Sequence, residues 1–257
     1  MGPVTPGAGM KQFRRVQDIT KLTLRSIDGQ VGTIRELYFD DQNWAVRYLM
    51  VRTGRWLMGR HVLIAPIVIG TIDDADASIR INLQKEEIEY APSIKSTESI
   101  PRRYEQTYYE RFQWAPYWQP DTTMWGSPIP FPDASTTRWD ESLFGEIPQQ
   151  SHLRSSAAVT GCKVRAQDGE IGHMRDLIID DEDWVIRYVE VDTRNWLLGK
   201  KVLVQTGRIG PFDWYGRSVA MALTRHAIRS APAYDPSMLI TPDYEVRLFK
   251  HYGMDAA

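Results

Sequence analysis

The chain has 257 residues, 42% hydrophobic and 25% charged, with a formal net charge of −2. That balance belongs to a globular protein and leaves no basic footprint for general nucleic-acid binding, while a single cysteine, Cys162, excludes an internal disulfide framework and a multi-cysteine zinc site. Nine Trp and twelve Tyr are the unusual quantity, because so much aromatic area has to be buried or has to bind something.

The first residues carry no apolar signal region, and the longest apolar run, Val62 to Ile72, is broken by Pro66 and Gly70. A spanning helix needs ~20 apolar residues. The expected location is therefore the cytoplasm, with at most peripheral contact at the inner face of a membrane. Along the chain, residues 21–26 read as a strand and Asp28-Gly29 as a tight turn, since glycine takes the positive φ a hairpin needs. Residues 31–40 form the next strand, and the acidic turn at Asp40-Asp41 leads into a third strand at 44–53. Shorter strands follow at 56–58, 61–64, 67–72 and 78–83, and their short connections predict antiparallel pairing. The third strand is apolar on both faces, so one side fills a core and the other must be covered by a helix, an aromatic linker or a sister unit. Residues 101–112 read as an amphipathic helix with proline at its start.

The same pattern then returns. Residues 20–63 align without a gap to residues 160–203, a shift of 140, with 19 of 44 positions identical. The identities include Asp28/Asp168, Gly32/Gly172, Asp40/Asp180, Trp44/Trp184, Arg47/Arg187, Tyr48/Tyr188 and Trp56/Trp196, and the register reaches Tyr104-Glu105/Tyr244-Glu245. A second helix is expected over 241–252. Between the repeats, residues 116–150 are Pro-rich and carry Trp118, Trp125, Phe131, Trp139 and Phe144, so this connection is expected to lie on protein surface instead of floating free. The expected organisation is a first β-barrel over 13–92, a helix and Pro/Trp-rich linker over 93–152, a second barrel over 153–232, and a C-terminal helix and tail over 233–257.

These residues resemble a known family. Asp28-Gly29, Gly32, Arg47-Tyr48, Trp56-Leu57 and Gly59, repeated as Asp168-Gly169, Gly172, Arg187-Tyr188, Trp196-Leu197 and Gly199, resemble the PRC-barrel shared by the photosynthetic reaction-centre H chain and the 16S rRNA maturation factor. The resemblance implies an all-β fold with peripheral helices: two tandem small antiparallel barrels, each followed by a short amphipathic helix. It also implies a non-catalytic adaptor that contacts proteins. The alternatives are a peripheral H-chain-like electron-transfer or assembly factor and an RNA-processing or ribosome-assembly adaptor, the latter disfavoured for direct RNA contact by the near-neutral charge.

The chemistry-bearing residues point the same way. His61, His152, His173, His226 and His251 fall in no metal-ligand spacing, and no nucleophile motif, phosphate loop or dinucleotide fingerprint occurs. No enzyme activity, cofactor or metal is therefore expected. The acidic turns are expected to bond local backbone amides, and Cys162 to be a small core residue. Arg47 and Arg187 lie on core-side rows and need carboxylate partners, for which Glu36 and Asp176 on the preceding strand are the candidates. Trp44, Trp56, Trp184 and Trp196, twelve apart in each repeat, read as barrel and helix packing or as a contact surface; on the second reading the candidate partner-binding residues are Trp44, Tyr48, Trp56, Trp184, Tyr188, Trp196, Trp118 and Trp125, by the enrichment of such rings at interfaces. Pairing of the two barrels within the chain, or homo-oligomerisation, is the accompanying expectation.

Overall fold

The computed structural model describes residues 12–89, 91, 100–112, 114, 116–118, 152–193 and 200–253. The first repeat supplies β2 (Thr23–Ser26), β3 (Gly29–Asp40), β4 (Val46–Thr53), β5 (His61–Ile64), β6 (Ile69–Asp73) and β7 (Ser78–Ile81), with helices α2 (Lys85–Glu89) and α3 (Arg102–Phe112), after the leading β1 (Phe13–Arg15) and α1 (Val16–Ile19). The second repeat opens with β8 (Leu153–Ser155) and α4 (Ser156–Val159). It continues through β9 (Lys163–Ala166), β10 (Gly169–Asp180), β11 (Val185–Asp192), β12 (Lys201–Gln205), β13 (Ile209–Asp213) and β14 (Ser218–Met221) to α5 (Arg225–Ser230) and α6 (Pro242–His251). The protein is thus mostly β with peripheral helices, and the two amphipathic helices form where the sequence places them.

The described residues form two seven-stranded sheets with the same strand order, β5-β4-β3-β2-β7-β6 and β12-β11-β10-β9-β14-β13. Neither closes into a barrel, because the end strands do not pair with each other. The all-antiparallel expectation also needs correction: β2 runs parallel to β7, and β9 to β14. The reason is the connection after β5. Pro66 opens a single 3-10 turn, Pro66–Val68, which leads into β6 without a hairpin, so β7 returns alongside β2 in the same direction.

Each sheet takes its seventh strand from the residues just ahead of the other repeat. One compact unit comprises residues 20–155, and the other residues 1–19 and 156–257. In the first-repeat unit, β8 pairs with β3 in the register Tyr38↔Ser155 to Asp40↔Leu153. In the second-repeat unit, β1 pairs with β10 in the matching register Arg15↔Ile178 to Phe13↔Asp180, and α1 packs on β10. Both long strands, β3 and β10, extend well beyond their hairpin partners β2 and β9, so the added strands cover backbone edge that would otherwise be bare.

Local chemistry repeats as closely. A Cβ at Gly32 would stand 2.0 Å from the Arg52 carbonyl oxygen, and one at Gly172 2.2 Å from that of Asp192, so only glycine admits the crossing of the two longest strands. Asp28 accepts hydrogen bonds from the Ser26 hydroxyl (2.8 Å) and the Lys85 amide (3.0 Å), tying the β2–β3 turn to α2; Asp168 does the same for the Arg225 amide (2.6 Å). β4 is buried on both faces from Val46 to Val51. Its outer face is covered by α3, through a cluster that includes Tyr48, Met50, Leu63, Tyr108, Tyr109 and Leu153. The Ala65 amide donates to the Tyr108 hydroxyl (3.1 Å), while in the other unit the Tyr252 hydroxyl donates to the Leu203 carbonyl (3.0 Å), pinning each helix to its sheet.

The strand exchange predicts stability effects far away in sequence. Ile19→Ala and Leu153→Ala should each cost about 2–4 kcal/mol. Hydrogen exchange should show the loss at β10 for Ile19→Ala and at β3 for Leu153→Ala; loss confined to the mutated residue's own repeat would contradict the pairing.

Candidate functional site

The repeated aromatic residues are placed inside. Trp44 and Trp184 sit at the ends of the acidic turns with φ of 61° and 53°, a left-handed conformation that is rare for a bulky residue. That turn directs the indole of Trp44 inward, where it stacks on Phe39 at 5.4 Å and remains only 9% exposed. Tyr48 and Tyr188 are buried as well. Trp56 is half-buried and donates its indole N–H to the Val31 carbonyl (2.8 Å). Trp118 is half-buried against Tyr109 at 5.3 Å. Trp125 and Trp196 lie outside the described residues. Of the two readings of these rings, the packing one fits Trp44, Tyr48, Trp184 and Tyr188, which are core side chains, and the left-handed turn is what buries the two indoles.

The expected ion pairs also shift by a few residues. Arg47 pairs with Asp40 (3.6 Å), and Arg187 with Asp180 (3.5 Å) and Asp183. Glu36 instead accepts from the hydroxyls of Tyr38 (3.3 Å) and Ser155, and Asp176 meets Arg15 (3.1 Å). The cause is a bulge present in both repeats. Register jumps between Tyr38↔Tyr48 and Phe39↔Val46, so Arg47 is the extra residue opposite the turn and reaches forward to Asp40; Arg187 occupies the same place. The acidic turns bond local amides as expected, with Asp40 accepting from the Gln42 amide (2.9 Å) and Asp180 from the Glu182 amide (3.2 Å). Cys162 is buried, and burial pushes its thiol pKa up.

Two polar networks lie beneath the helices. In the first-repeat unit the fully buried Glu105 accepts from the hydroxyls of Tyr48 (3.3 Å) and Tyr117 (2.8 Å) and pairs with Arg102 (3.1 Å). In the second, Tyr188 donates to Glu245 at the same sequence separation. Burial first, and then the adjacent carboxylate, hold the phenols of Tyr117 and Tyr188 far above their ordinary pKa, so each remains a donor.

The second-repeat unit also contains a buried charge cluster that sequence reading missed. Arg15, from β1, lies 3.1 Å from Asp176 and 3.4 Å from Glu190, and Lys201 lies 2.8 Å from Glu190. Both carboxylates are almost wholly inaccessible, and the tyrosine beside them, Tyr234, has its pKa pushed up mainly by burial and then by Glu190. The residues 140 positions earlier are Glu36, Met50 and His61, so the charges are a property of one repeat. With no access for a substrate, the cluster's chemistry is to hold β1 on the sheet. Among the described residues no group of three or more His, Cys, Asp or Glu could hold a metal ion. The open clefts lie elsewhere: one in the first-repeat unit lined by Arg35, Arg52, Arg55 and Met58, and a smaller one in the second lined by Asp168, Thr193, Arg225 and Arg229. No family model matches the chain, and no curated protein matches it.

The cluster makes a pH prediction. Burial raises Asp176 from an ordinary 3.8 to about 6, against opposing hydrogen bonds from Leu177 and Gln17 and the Arg15 charge. A carboxyl whose folded pKa is raised adds stability that is complete below its unfolded pKa and is lost as pH rises through the folded one. The second-repeat unit should therefore gain roughly 1–3 kcal/mol on acidification from about pH 7.5 to about pH 5, and Asp176→Asn should flatten that slope. Denaturant unfolding monitored at β10 checks both, and a stability that falls over this interval would contradict the assignment.

Proposed function

We propose that this chain is a non-catalytic protein-interaction module built from two PRC-barrel-like units, acting in the cytoplasm with no cofactor. The repeated motif residues support the family reading. Each is used structurally: Asp28 caps a turn, Gly32 admits a strand crossing, Arg47 holds a bulge and Tyr48 anchors a helix. No helix is long and apolar enough to cross a membrane among the described residues.

The observation that carries the interaction reading is where apolar surface remains. Of the seven large hydrophobic side chains left exposed among the described residues, five belong to the second-repeat unit: Trp214, Tyr215, Met238, Leu239 and Val246. Exposed aromatic and aliphatic groups gathered in one unit mark contact surface, and Trp and Tyr carry disproportionate interface energy. A photo-crosslinking amino acid at Tyr215 or Leu239 of the full chain, expressed in its native cell, should give a discrete protein adduct. Adducts only to nucleic acid or lipid, or no adduct at either position, would overturn this reading.

A further inference from the structure

The two repeats share three receiving groups at the junction of the long hairpin and the following helix, and among the described residues only those of the first repeat are covered. In the first-repeat unit, Tyr117 and Trp118 close it. The Tyr117 ring centroid lies 3.8 Å from the Arg47 guanidinium carbon, and its hydroxyl donates to Glu105 at 2.8 Å. Trp118 packs on Tyr109 and lies 4.3 Å from the Arg102 guanidinium. Under this cover Arg47 is 3% exposed and Glu105 is fully buried.

In the second-repeat unit three of the receiving groups recur, as Arg187, Glu245 and Phe249, while Pro242 stands in the place of Arg102. They are held the same way, Arg187 by Asp180 and Glu245 by Tyr188. Yet the Arg187 side chain is 39% exposed, Glu245 and Phe249 are half-buried, and Val246 beside them is exposed. The residue 140 positions after Tyr117 is Ala257, which has no ring to play its part.

We propose that the Arg187–Glu245–Phe249 notch docks a tyrosine-bearing aromatic segment of a protein partner, an inference that rests on the interaction reading above. Electrostatic complementarity selects the ring. A guanidinium takes the electron-rich face of an aromatic side chain, and the carboxylate beside it takes an O–H donor. Tyrosine supplies both from one group. Phenylalanine leaves the carboxylate with the Tyr188 hydroxyl as its donor and no second one from the ligand, and an acidic side chain meets Glu245 with like charge. A following tryptophan would lie over Phe249 as Trp118 does over Tyr109.

The test titrates a synthetic peptide of the chain's own residues 113–119, Gln-Trp-Ala-Pro-Tyr-Trp-Gln, into the full-length protein and follows backbone NMR shifts. Saturable shifts at residues 185–189 and 245–249 are expected. Replacing the peptide tyrosine by phenylalanine should weaken binding by about tenfold. Arg187→Gln should abolish it, and so should Val246→Asp, whose exposed position leaves the fold intact. No saturable binding, equal binding by both variants, or shifts confined to the first-repeat unit would overturn the proposal. So would binding that appears only after residues 119–150 are deleted, since the notch would then belong to the chain's own segment. The peptide result is independent of the crosslinking result. If the peptide shows no saturable binding while the Tyr215 or Leu239 adduct forms, the notch assignment falls and the interaction reading stands; if the wild-type chain gives no protein adduct, the interaction reading itself falls.

Discussion

Two twelve-residue strands, β3 and β10, set the terms for everything else. Each is too long for its hairpin partner. The first half of β3 pairs with β2, and the stretch from Tyr38 to Asp40 presents the same edge with nothing local to bond it. Backbone donors and acceptors left bare cost free energy or invite a foreign strand. The three-residue strands β8 and β1 answer that demand reciprocally, each in the sheet of the opposite repeat. Once they are in place, the side chains around them follow. Leu153 enters the cluster under α3, Ser155 bonds Glu36, and Arg15 faces Asp176 and Glu190.

The repeats diverge where these inserted strands end and where the helices are covered. Ser155 and Arg15 hold the same position in their registers, but one brings a hydroxyl to a single acid and the other a guanidinium to two. Removing two carboxylates from water has a large desolvation cost, which Arg15 and Lys201 offset in part; the raised pKa of Asp176 reflects what burial leaves uncompensated. Polar divergence of this kind leaves the backbone untouched, because both sheets keep the same bulges and the same strand order. What differs is charge and cover, the two properties through which copies of one fold acquire separate surfaces.

Much of the architecture was legible from residue pattern alone. The 140-residue repeat, the Asp-Gly turns and the two amphipathic helices are local signals, and a β-strand apolar on both faces announced that something must cover it. The rest was hidden for identifiable reasons. Phe-Arg-Arg and Leu-Arg-Ser carry no strand signature, and their partner lies more than 110 residues away. The bulge at Arg47 slides the strand by one position, so alternation pointed to Glu36 when Asp40 is the neighbour. The short connections argued for reversals throughout, yet the 3-10 turn at Pro66 does not reverse the chain, and a parallel pair results. The tryptophans stayed divided between packing and contact because nothing in the pattern marks a left-handed indole.

The placement of β1 has a consequence for the order in which the protein is made. Phe13 cannot find its ladder partner Asp180 until the ribosome has emitted the second repeat. At roughly 5–20 residues per second, that leaves the leading segment waiting on the order of ten seconds. The first-repeat sheet is complete once Leu153–Ser155 emerge, whereas the second-repeat sheet takes a strand made at the start of synthesis. Pairing of β1 with β10 is therefore a late step of high contact order, and the unpaired leading segment is the part in most need of protection from premature strand pairing.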